Sequence, residues 1–413
     1  MPRPALLLCA ALLTGAAAYG VGWLPGPDRA PDVLTPLAPA PSSVAPPSAP
    51  EATETPPPLP AAEAISPAPA PAVPALPVPK PQPLPAQAQI PEIRHEYQRL
   101  NNCGPVTIGM ALSRWGSALN QYDIAPRLKP VRGDVNVSPD ELAAYARSQG
   151  MDVHLARGGD RTLLRTLLAA GFPVIVETWF VTPDSGGMGH YRLLTGYDDR
   201  AMTFRALDSY LGPLKLAYGT FDELWRSFGR LYLVVAPPAK APVLRRLLGT
   251  RADRPAAKQA WLRATEAEAA HRGDAVAFLN LGQARLDLGD ARGAARAFDQ
   301  AFAANPDPGL DPTRPGWVQG GLPWRTLWYT FGPLEAWVRA GRPADTLRLS
   351  AAVLRSAPAH EEAHYWRGRA LAGLGRPSEA RAAYQEALRL RPGFLTARLA
   401  LSTLEAPGKV RSP

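Results

Sequence analysis

The chain has 413 residues, 46% of them hydrophobic, which is enough for two or three domains with buried cores. Its formal net charge of +9 is uneven: residues 237–413 carry 26 Lys/Arg against 16 Asp/Glu, which leaves about −1 for the rest. No basic stripe interleaved with stacking aromatics argues for nucleic acid, and a solvated arginine-rich surface explains the charge. With only Cys9 and Cys103, a disulfide-rich scaffold is excluded.

Residues 1–24 have the pattern of a targeting segment. Arg3 precedes an apolar run from Ala5 to Leu24, and Ala16 with Ala18 provides a small-residue cleavage pattern. Because about 20 apolar residues also suffice to cross a bilayer, we expect either a signal peptide or an uncleaved membrane anchor. Both predictions place the remaining chain outside the cytoplasm, secreted or anchored in the cell envelope.

Residues 25–91 hold 23 of the 48 prolines and almost no aromatic side chains. Such a Pro/Ala-rich segment cannot bury a core and is predicted to be a disordered or polyproline II linker.

Residues 92–237 are predicted to form an α+β domain, because helical periodicity alternates with β-branched and aromatic runs. Ser138, Pro139 and Glu141 form a helix-start signature with a capping box, and Asp160 caps a second helix. The predicted helices are 103–116, 138–150, 160–171 and 221–228; the predicted strands are 151–156, 173–180, 189–198, 202–208 and 230–236.

Residues 250–407 are predicted to be all-α and repetitive. Segments 284–306, 336–358 and 370–392 align over 23 residues without a gap, the middle one being degenerate and preceded by an insert near residues 307–324. The pattern resembles the tetratricopeptide repeat, whose small and aromatic positions are matched by Gly282, Ala294, Phe298, Ala301 and Pro306, and by Gly368, Ala380, Tyr384, Ala387 and Pro392. Such repeats usually bind peptides or proteins.

Cys103 begins a predicted helix in "NNCGPVTIGM", where the helix dipole favours a thiolate. A thiolate nucleophile needs a base and a group that orients the base. His190 opens a later predicted strand, and Asp208 ends the next one, with Asp198 and Asp199 as rivals for the orienting acid. The side-chain amide of Gln98 is the predicted oxyanion donor, with that of Asn102 as the alternative.

The motifs "NNCGPVTIGMAL", "GHYRLLTGYDD" and "ALDSYLGP" followed by "FDELW" resemble the peptidase C39-like family, which has a papain-like fold. The resemblance covers about 145 residues and implies Cys103 as nucleophile, His190 as base, Asp208 as orienting acid and Gln98 as oxyanion donor. The related leader peptidases of ABC exporters are a poorer fit, since the chain has no Walker A sequence. His95 and His154 are interpreted as surface or packing residues.

"HEEAH", residues 360–364, fits the zinc-peptidase motif H-E-x-x-H. Since His360 falls at or before a predicted helix start and the repeat already explains this segment, we expect a packing helix and no metal or cofactor.

The sequence therefore predicts an exported cysteine peptidase with a repeat domain that binds a protein partner. Two alternatives stay open: a catalytically silent C39-like binding module, and a cell-wall peptide amidase or acyl transferase using the same triad.

Overall fold

The computed structural model describes residues 83–99, 101–131, 134, 136–180, 188–305, 321–322 and 325–405. The sheet region contains β1 (Gln87–Gln89), α1 (Cys103–Ser113), α2 (Gln121–Leu128), α3 (Pro139–Ser148), β2 (Asp152–Ala156), α4 (Arg161–Ala169), β3 (Val174–Phe180), β4 (Met188–Asp198), β5 (Thr203–Asp208), β6 (Gly212–Ala217), α5 (Tyr218–Arg226) and β7 (Tyr232–Ala236). The helical region contains α6 (Ala241–Leu248), α7 (Arg254–Arg272), α8 (Ala275–Asp287), α9 (Ala291–Ala303), α10 (Gly332–Arg339), α11 (Pro343–Ser356), α12 (Glu361–Gly373), α13 (Pro377–Leu390) and α14 (Leu395–Glu405). Three short 3₁₀ turns are Pro238–Lys240, Gly249–Ala252 and Thr326–Trp328.

Within the described residues the seven strands form one antiparallel sheet in the order β2-β7-β3-β4-β5-β6, and β1 pairs with the end of β4. A register shift between Leu194 and Gly196 interrupts the pairing of β4 with β5. The register sets His190 opposite Thr178 of β3 and Arg192 opposite Asp208 of β5. One end of the sheet therefore gathers several polar side chains.

Helices cover both faces of this sheet. Residues of α1, α2 and α3 form one buried apolar cluster, and residues of α4, α5 and α6 form another on strands of the same sheet. The helix-start signals act as predicted: Ser138 and Glu141 make a reciprocal capping box on α3, and Asp160 caps α4. The predicted α+β class with helices packed on an antiparallel sheet is confirmed.

Strand β1 corrects one predicted boundary. Residues 87–89 were assigned to the proline-rich linker, but they pair with Gly196–Asp198 of β4. They pair with the part of the β4 backbone that β3 does not reach. The sequence did not predict this strand, because three residues are too few to show the alternation of a strand. Helix α2 was also missed, because Pro126 lies inside it.

The helical region is built from paired helices, with α8 packed on α9, α10 on α11 and α12 on α13. A Cβ atom at Gly282 would lie 2.6 Å from the ring of Phe298, and one at Gly368 would lie 2.5 Å from Tyr384. The same small–aromatic contact thus recurs in the first and last repeats, and the all-α repeat prediction is confirmed. Pro306 and most of the insert lie outside the described residues.

The sheet region and the repeats belong to one compact unit. Arg226 at the end of α5 is buried and pairs with Glu268 of α7 and Asp274 at the start of α8, both at 2.8 Å. Asn280 of α8 donates to the Arg226 carbonyl at 2.9 Å. Because a buried guanidinium needs such partners, this network fixes the repeats against the sheet region.

None of the described helices combines the length and apolarity that a membrane span requires. The predicted targeting segment and the linker as far as residue 82 lie outside the described residues.

Candidate active site

Cys103 is the first residue of α1, as the sequence predicts, and it is a free, half-buried cysteine. The first turn that carries it is tightly packed: a Cβ atom at Gly104 would lie 3.3 Å from Cβ of Val137. Backbone groups of Gly104 and Tyr191 hydrogen-bond to the Cys103 sulfur. The thiol is therefore held at a helix N-terminus among backbone donors.

His190 and Asp208 lie on adjacent strands, and their side chains meet. His190 Nε2 donates to Asp208 Oδ1 at 3.1 Å, while the His190 ring also hydrogen-bonds to the Cys103 thiol. Because the carboxylate accepts from Nε2, Nδ1 is the ring nitrogen left for the sulfur. The structure thus brings the three predicted residues together in the order Cys103, His190, Asp208.

Asp208 is fully buried, and both of its carboxylate oxygens accept hydrogen bonds. Its Oδ1 accepts from the backbone N–H groups of Tyr210 and Leu211 at 2.7 and 2.9 Å, and its Oδ2 accepts from Arg192 Nε at 2.8 Å. Arg192 in turn donates to the Thr178 hydroxyl. Burial would raise the pKa of Asp208, but these hydrogen bonds and the charges of His190 and Arg192 lower it below its ordinary value.

The ionisation of Cys103 and His190 is coupled by their contact. Burial alone would raise the pKa of the Cys103 thiol, but the hydrogen bond to His190 and its charge lower that pKa. Burial would lower the pKa of His190, but its bonds to Asp208 and Cys103 raise it. Both shifts favour a thiolate–imidazolium pair over the neutral pair.

Gln98 lies beside Cys103 in the same cavity. The Ser209 hydroxyl donates to Gln98 Oε1 at 2.7 Å, which orients the amide and leaves its NH₂ group to donate elsewhere. The alternative donor, Asn102, instead gives its amide N–H to Gln121 at 3.0 Å. The geometry therefore favours Gln98 over Asn102 as a donor to a group bound at the sulfur.

The rival acids Asp198 and Asp199, and the histidines His154 and His95, make contacts with other protein groups. Asp198 accepts from the backbone N–H groups of a turn, and Asp199 contacts Arg165 and the Tyr218 hydroxyl. His154 contacts the Tyr232 hydroxyl at 3.1 Å. His95 lies closer to the site than the sequence indicated, since its Nε2 lies 2.9 Å from the Asp208 carbonyl oxygen.

The thiol opens into a cavity of about 440 Å³. One wall comes from the sheet region and includes Gln98, Cys103 and Glu177. The opposite wall comes from the helical region: Arg325, Trp328, Tyr329 and residues 356–359. A ligand at Cys103 would therefore lie between the sheet and the repeats.

Sequence reasoning missed two groups of this cavity, Glu177 and Tyr329. Glu177 is buried on β3, and burial, followed by the Cys103 charge, raises its pKa to about 8 even though Arg157 opposes the shift. Tyr329 lies just after the insert, and its hydroxyl accepts from the Gly189 backbone. Glu177 gave no signal because it lies inside a predicted apolar strand, and Tyr329 gave none because it lies between the insert and the second repeat segment.

Comparison with family models matches residues 82–233 to the peptidase C39-like family, and residues 279–309 and 361–394 to the tetratricopeptide repeat. No curated protein matches the chain.

Three solved structures illustrate the likeness of the two regions. A protein described as a C39-like peptidase of Bacillus anthracis is 16% identical, covering 36% of this chain and 97% of its own, with a TM-score of 0.31. The peptidase domain of Streptococcus ComA, a bifunctional ABC transporter, is 16% identical over 35% of this chain and 96% of its own, with a TM-score of 0.29. MamA of Desulfovibrio magneticus is 21% identical over 39% of this chain and 82% of its own, with a TM-score of 0.30. By the family models, the chain thus contains a C39-like peptidase region followed by tetratricopeptide repeats.

Proposed function

We propose that the protein is a cysteine peptidase that hydrolyses an amide bond of a peptide substrate held between the sheet region and the repeats. The observation that carries the proposal is the hydrogen-bonded chain from Cys103 through His190 to Asp208 at the wall of the cavity. A thiol with a lowered pKa beside an oriented imidazole is the arrangement that nucleophilic acyl transfer requires.

In this reaction the Cys103 thiolate attacks the scissile carbonyl carbon, and the carbonyl oxygen becomes an oxyanion. The Gln98 NH₂ group and a backbone N–H donate to that oxygen. The imidazolium of His190 then protonates the leaving amine, which departs and leaves a thioester on Cys103. Water, deprotonated by His190, cleaves the thioester and restores the thiol. Asp208 holds the ring in the required tautomer throughout.

The repeats contribute to substrate binding in two ways. Trp328 and Tyr329 line the cavity into which Cys103 opens, so a substrate that fills this cavity contacts them. The repeat surface beyond the cavity is a further binding surface for a peptide or protein partner, as such arrays usually are. The substrate proposed is therefore an extended peptide segment rather than a small amide.

The test incubates wild-type protein and Cys103→Ala with a defined mixture of synthetic peptides and identifies products by mass spectrometry. The proposal predicts cleavage by the wild type that is absent from Cys103→Ala. Equal cleavage by both proteins, or none by a folded wild type, would contradict it. Circular dichroism of both proteins shows whether the variant folds.

The two alternative functions give different results in the same assay. An acyl transferase would join the released acyl group to an added amine such as glycine methyl ester, which shifts the product mass. A binding module would retain peptides without cleaving them. The half-buried position of the thiol between two walls is compatible with retention, so bound peptides should be measured as well.

We also propose that the protein works outside the cytoplasm, on the support of the apolar segment 5–24 alone. To test this location, residues 1–91 are fused to a reporter enzyme that is active only after export. An inactive reporter that stays in the cytoplasm would contradict the proposal.

A further inference from the structure

A group of three buried side chains lies where α12 begins, outside the Cys103 site. His360 is the residue before the helix, and Glu361 and Glu362 are its first two residues. One ligand atom from each lies within 4.8 Å of the others. All three residues are buried, which is unusual for acidic side chains unless they are paired.

The contacts of His360 fix which ring nitrogen carries a proton. Its Nε2 lies 2.8 Å from the Trp328 carbonyl oxygen, which can only accept, so Nε2 is the donor. In the neutral ring Nδ1 then has a free lone pair. This atom lies 3.3 Å from Glu362 Oε2, another acceptor, and neither atom makes a well-directed hydrogen bond. Two acceptors that close together need a proton or a cation between them; against the effect of burial, Glu362 raises the pKa of His360, and Arg391 contacts the other oxygen of Glu362 at 3.3 Å.

Glu361 gives the second, independent observation. Its side chain is 1% exposed, and neither carboxylate oxygen has a hydrogen-bond partner on another described residue. A buried carboxylate without a partner is costly, and proteins meet that cost with an ion pair, a metal or a proton; burial raises the pKa of Glu361 to about 10. The nearby Glu141 shows the contrast, since Ser138 donates to its Oε2 and Arg391 contacts its Oε1.

We propose that His360, Glu361 and Glu362 bind a divalent transition-metal cation, Zn²⁺ or Mn²⁺. One imidazole nitrogen with carboxylate oxygens suits these ions better than Mg²⁺ or Ca²⁺, which prefer oxygen ligands alone. Ligands at about 2.0–2.2 Å from one ion lie within about 4.4 Å of each other, so the observed spacing needs only a small side-chain rotation. The Trp328 carbonyl is the second group that orients the ligating histidine.

This site differs from the H-E-x-x-H zinc motif that the sequence contains. That motif would need His360 and His364 to converge, but His364 Nε2 lies 2.9 Å from the Pro358 carbonyl oxygen and the residue is not part of the cluster. Glu362, which the motif leaves unassigned, takes its place.

The position of the site suggests a structural role. Residues 356–359, directly before His360, line the Cys103 cavity, and Arg391 joins α13 to Glu141 of α3. A bound cation would fix the start of α12 and hence that wall of the cavity. The proposal concerns binding and is independent of whether Cys103 is catalytic.

The test uses the full chain carrying Cys9→Ala and Cys103→Ala, so that no thiolate competes for metal. After treatment with a chelator, Zn²⁺ and Mn²⁺ are titrated by calorimetry, and thermal unfolding is followed with and without each ion. We expect one equivalent of at least one ion to bind and to raise the melting temperature. Glu361→Gln should weaken binding by about 10–100-fold or more, whereas the matched control His364→Ala should leave it unchanged.

Glu361→Gln removes no described contact, so it should fold, and circular dichroism checks this. X-ray absorption of the zinc-loaded protein should report nitrogen and oxygen ligands only. The proposal is overturned if neither ion binds, which would leave a proton as the occupant, or if binding depends on His364 and not on Glu361.

Discussion

Asp208 and Glu361 are two carboxylates buried to the same degree, 0% and 1% exposed, in the two regions of the molecule. Asp208 accepts from two backbone N–H groups, from His190 and from Arg192. Glu361 has no hydrogen-bond partner on another described residue. Glu177 is intermediate: it is 5% exposed, makes no hydrogen bond to a described residue, but borders a cavity.

The difference teaches that burial alone does not define the role of a carboxylate. Asp208 is charged, and its hydrogen bonds and the Arg192 cation offset the free-energy cost of burying that charge. Its carboxylate can therefore orient the ring of His190. Glu361 has no such compensation, and burial raises its pKa to about 10, so without a bound cation it carries a proton at neutral pH. Burial raises the pKa of Glu177 to about 8, so Glu177 also carries a proton at neutral pH.

The largest expected effect is that of Asp208→Ala. It leaves Arg192 buried and without its carboxylate, so the free energy of unfolding should fall by about 3–5 kcal/mol. Urea denaturation measures this. Asp198→Ala is the control, because Asp198 accepts only from two backbone groups of an exposed turn, and we expect a loss of about 0.5–2 kcal/mol. Equal losses would contradict the distinction.

The second prediction concerns Glu177 and pH. The folded protein holds the Glu177 proton up to about pH 8, whereas the unfolded chain releases it near 4.5. Unfolding therefore releases a proton between these values, and stability falls as pH rises, with a slope of up to about 1.4 kcal/mol per pH unit. Glu177→Gln should remove this slope. Denaturation at pH 5, 6.5 and 8 tests it, and parallel curves for the two proteins would refute it.

The third prediction tests how Asp208 acts on His190. Asp208 raises the pKa of His190 by hydrogen bonding and charge, so Asp208→Asn should lower that pKa by about one unit. NMR of the imidazole nitrogens as a function of pH measures the change. An unchanged pKa of His190 in Asp208→Asn would show that the pair is not coupled.

The smallest effect is expected for Glu361→Gln in chelator-treated protein. Because the wild-type carboxyl group has no partner there, replacing it with an amide should change the free energy of unfolding by less than about 1 kcal/mol or increase it. The same measurement with saturating metal should show the wild type more stable than the variant. A large loss without metal would mean that Glu361 has a structural partner within the protein.

Local signals predicted much of the fold from sequence. The capping box of Ser138 and Glu141, the apolar periodicity of α4 and the alternating strands are encoded within a few residues. The Gly282–Phe298 and Gly368–Tyr384 contacts could be predicted because they recur with the repeat. Strand β1 could not, since its stability comes from pairing with β4, a hundred residues away.

The candidate site divides in the same way. Cys103, His190 and Asp208 carry recognisable residue types at the ends of predicted elements, so their proximity could be predicted. Arg192, Glu177 and Tyr329 could not be assigned, because their surroundings depend on strand register and on how the repeats pack against the sheet. The sequence placed His360 in an H-E-x-x-H motif, but its observed contact is with the carbonyl oxygen of Trp328, which no local pattern predicts.

The central claim is that Cys103 is a thiolate paired with His190. The most direct test is the rate of Cys103 alkylation by iodoacetamide between pH 4 and 10, followed by mass spectrometry of the Cys103 peptide in wild type and His190→Ala. The account predicts a wild-type reactivity profile whose midpoint lies below the ordinary cysteine pKa of about 8.5, and a shift of the midpoint to that value or above in His190→Ala. Profiles that coincide near pH 8.5 would contradict it.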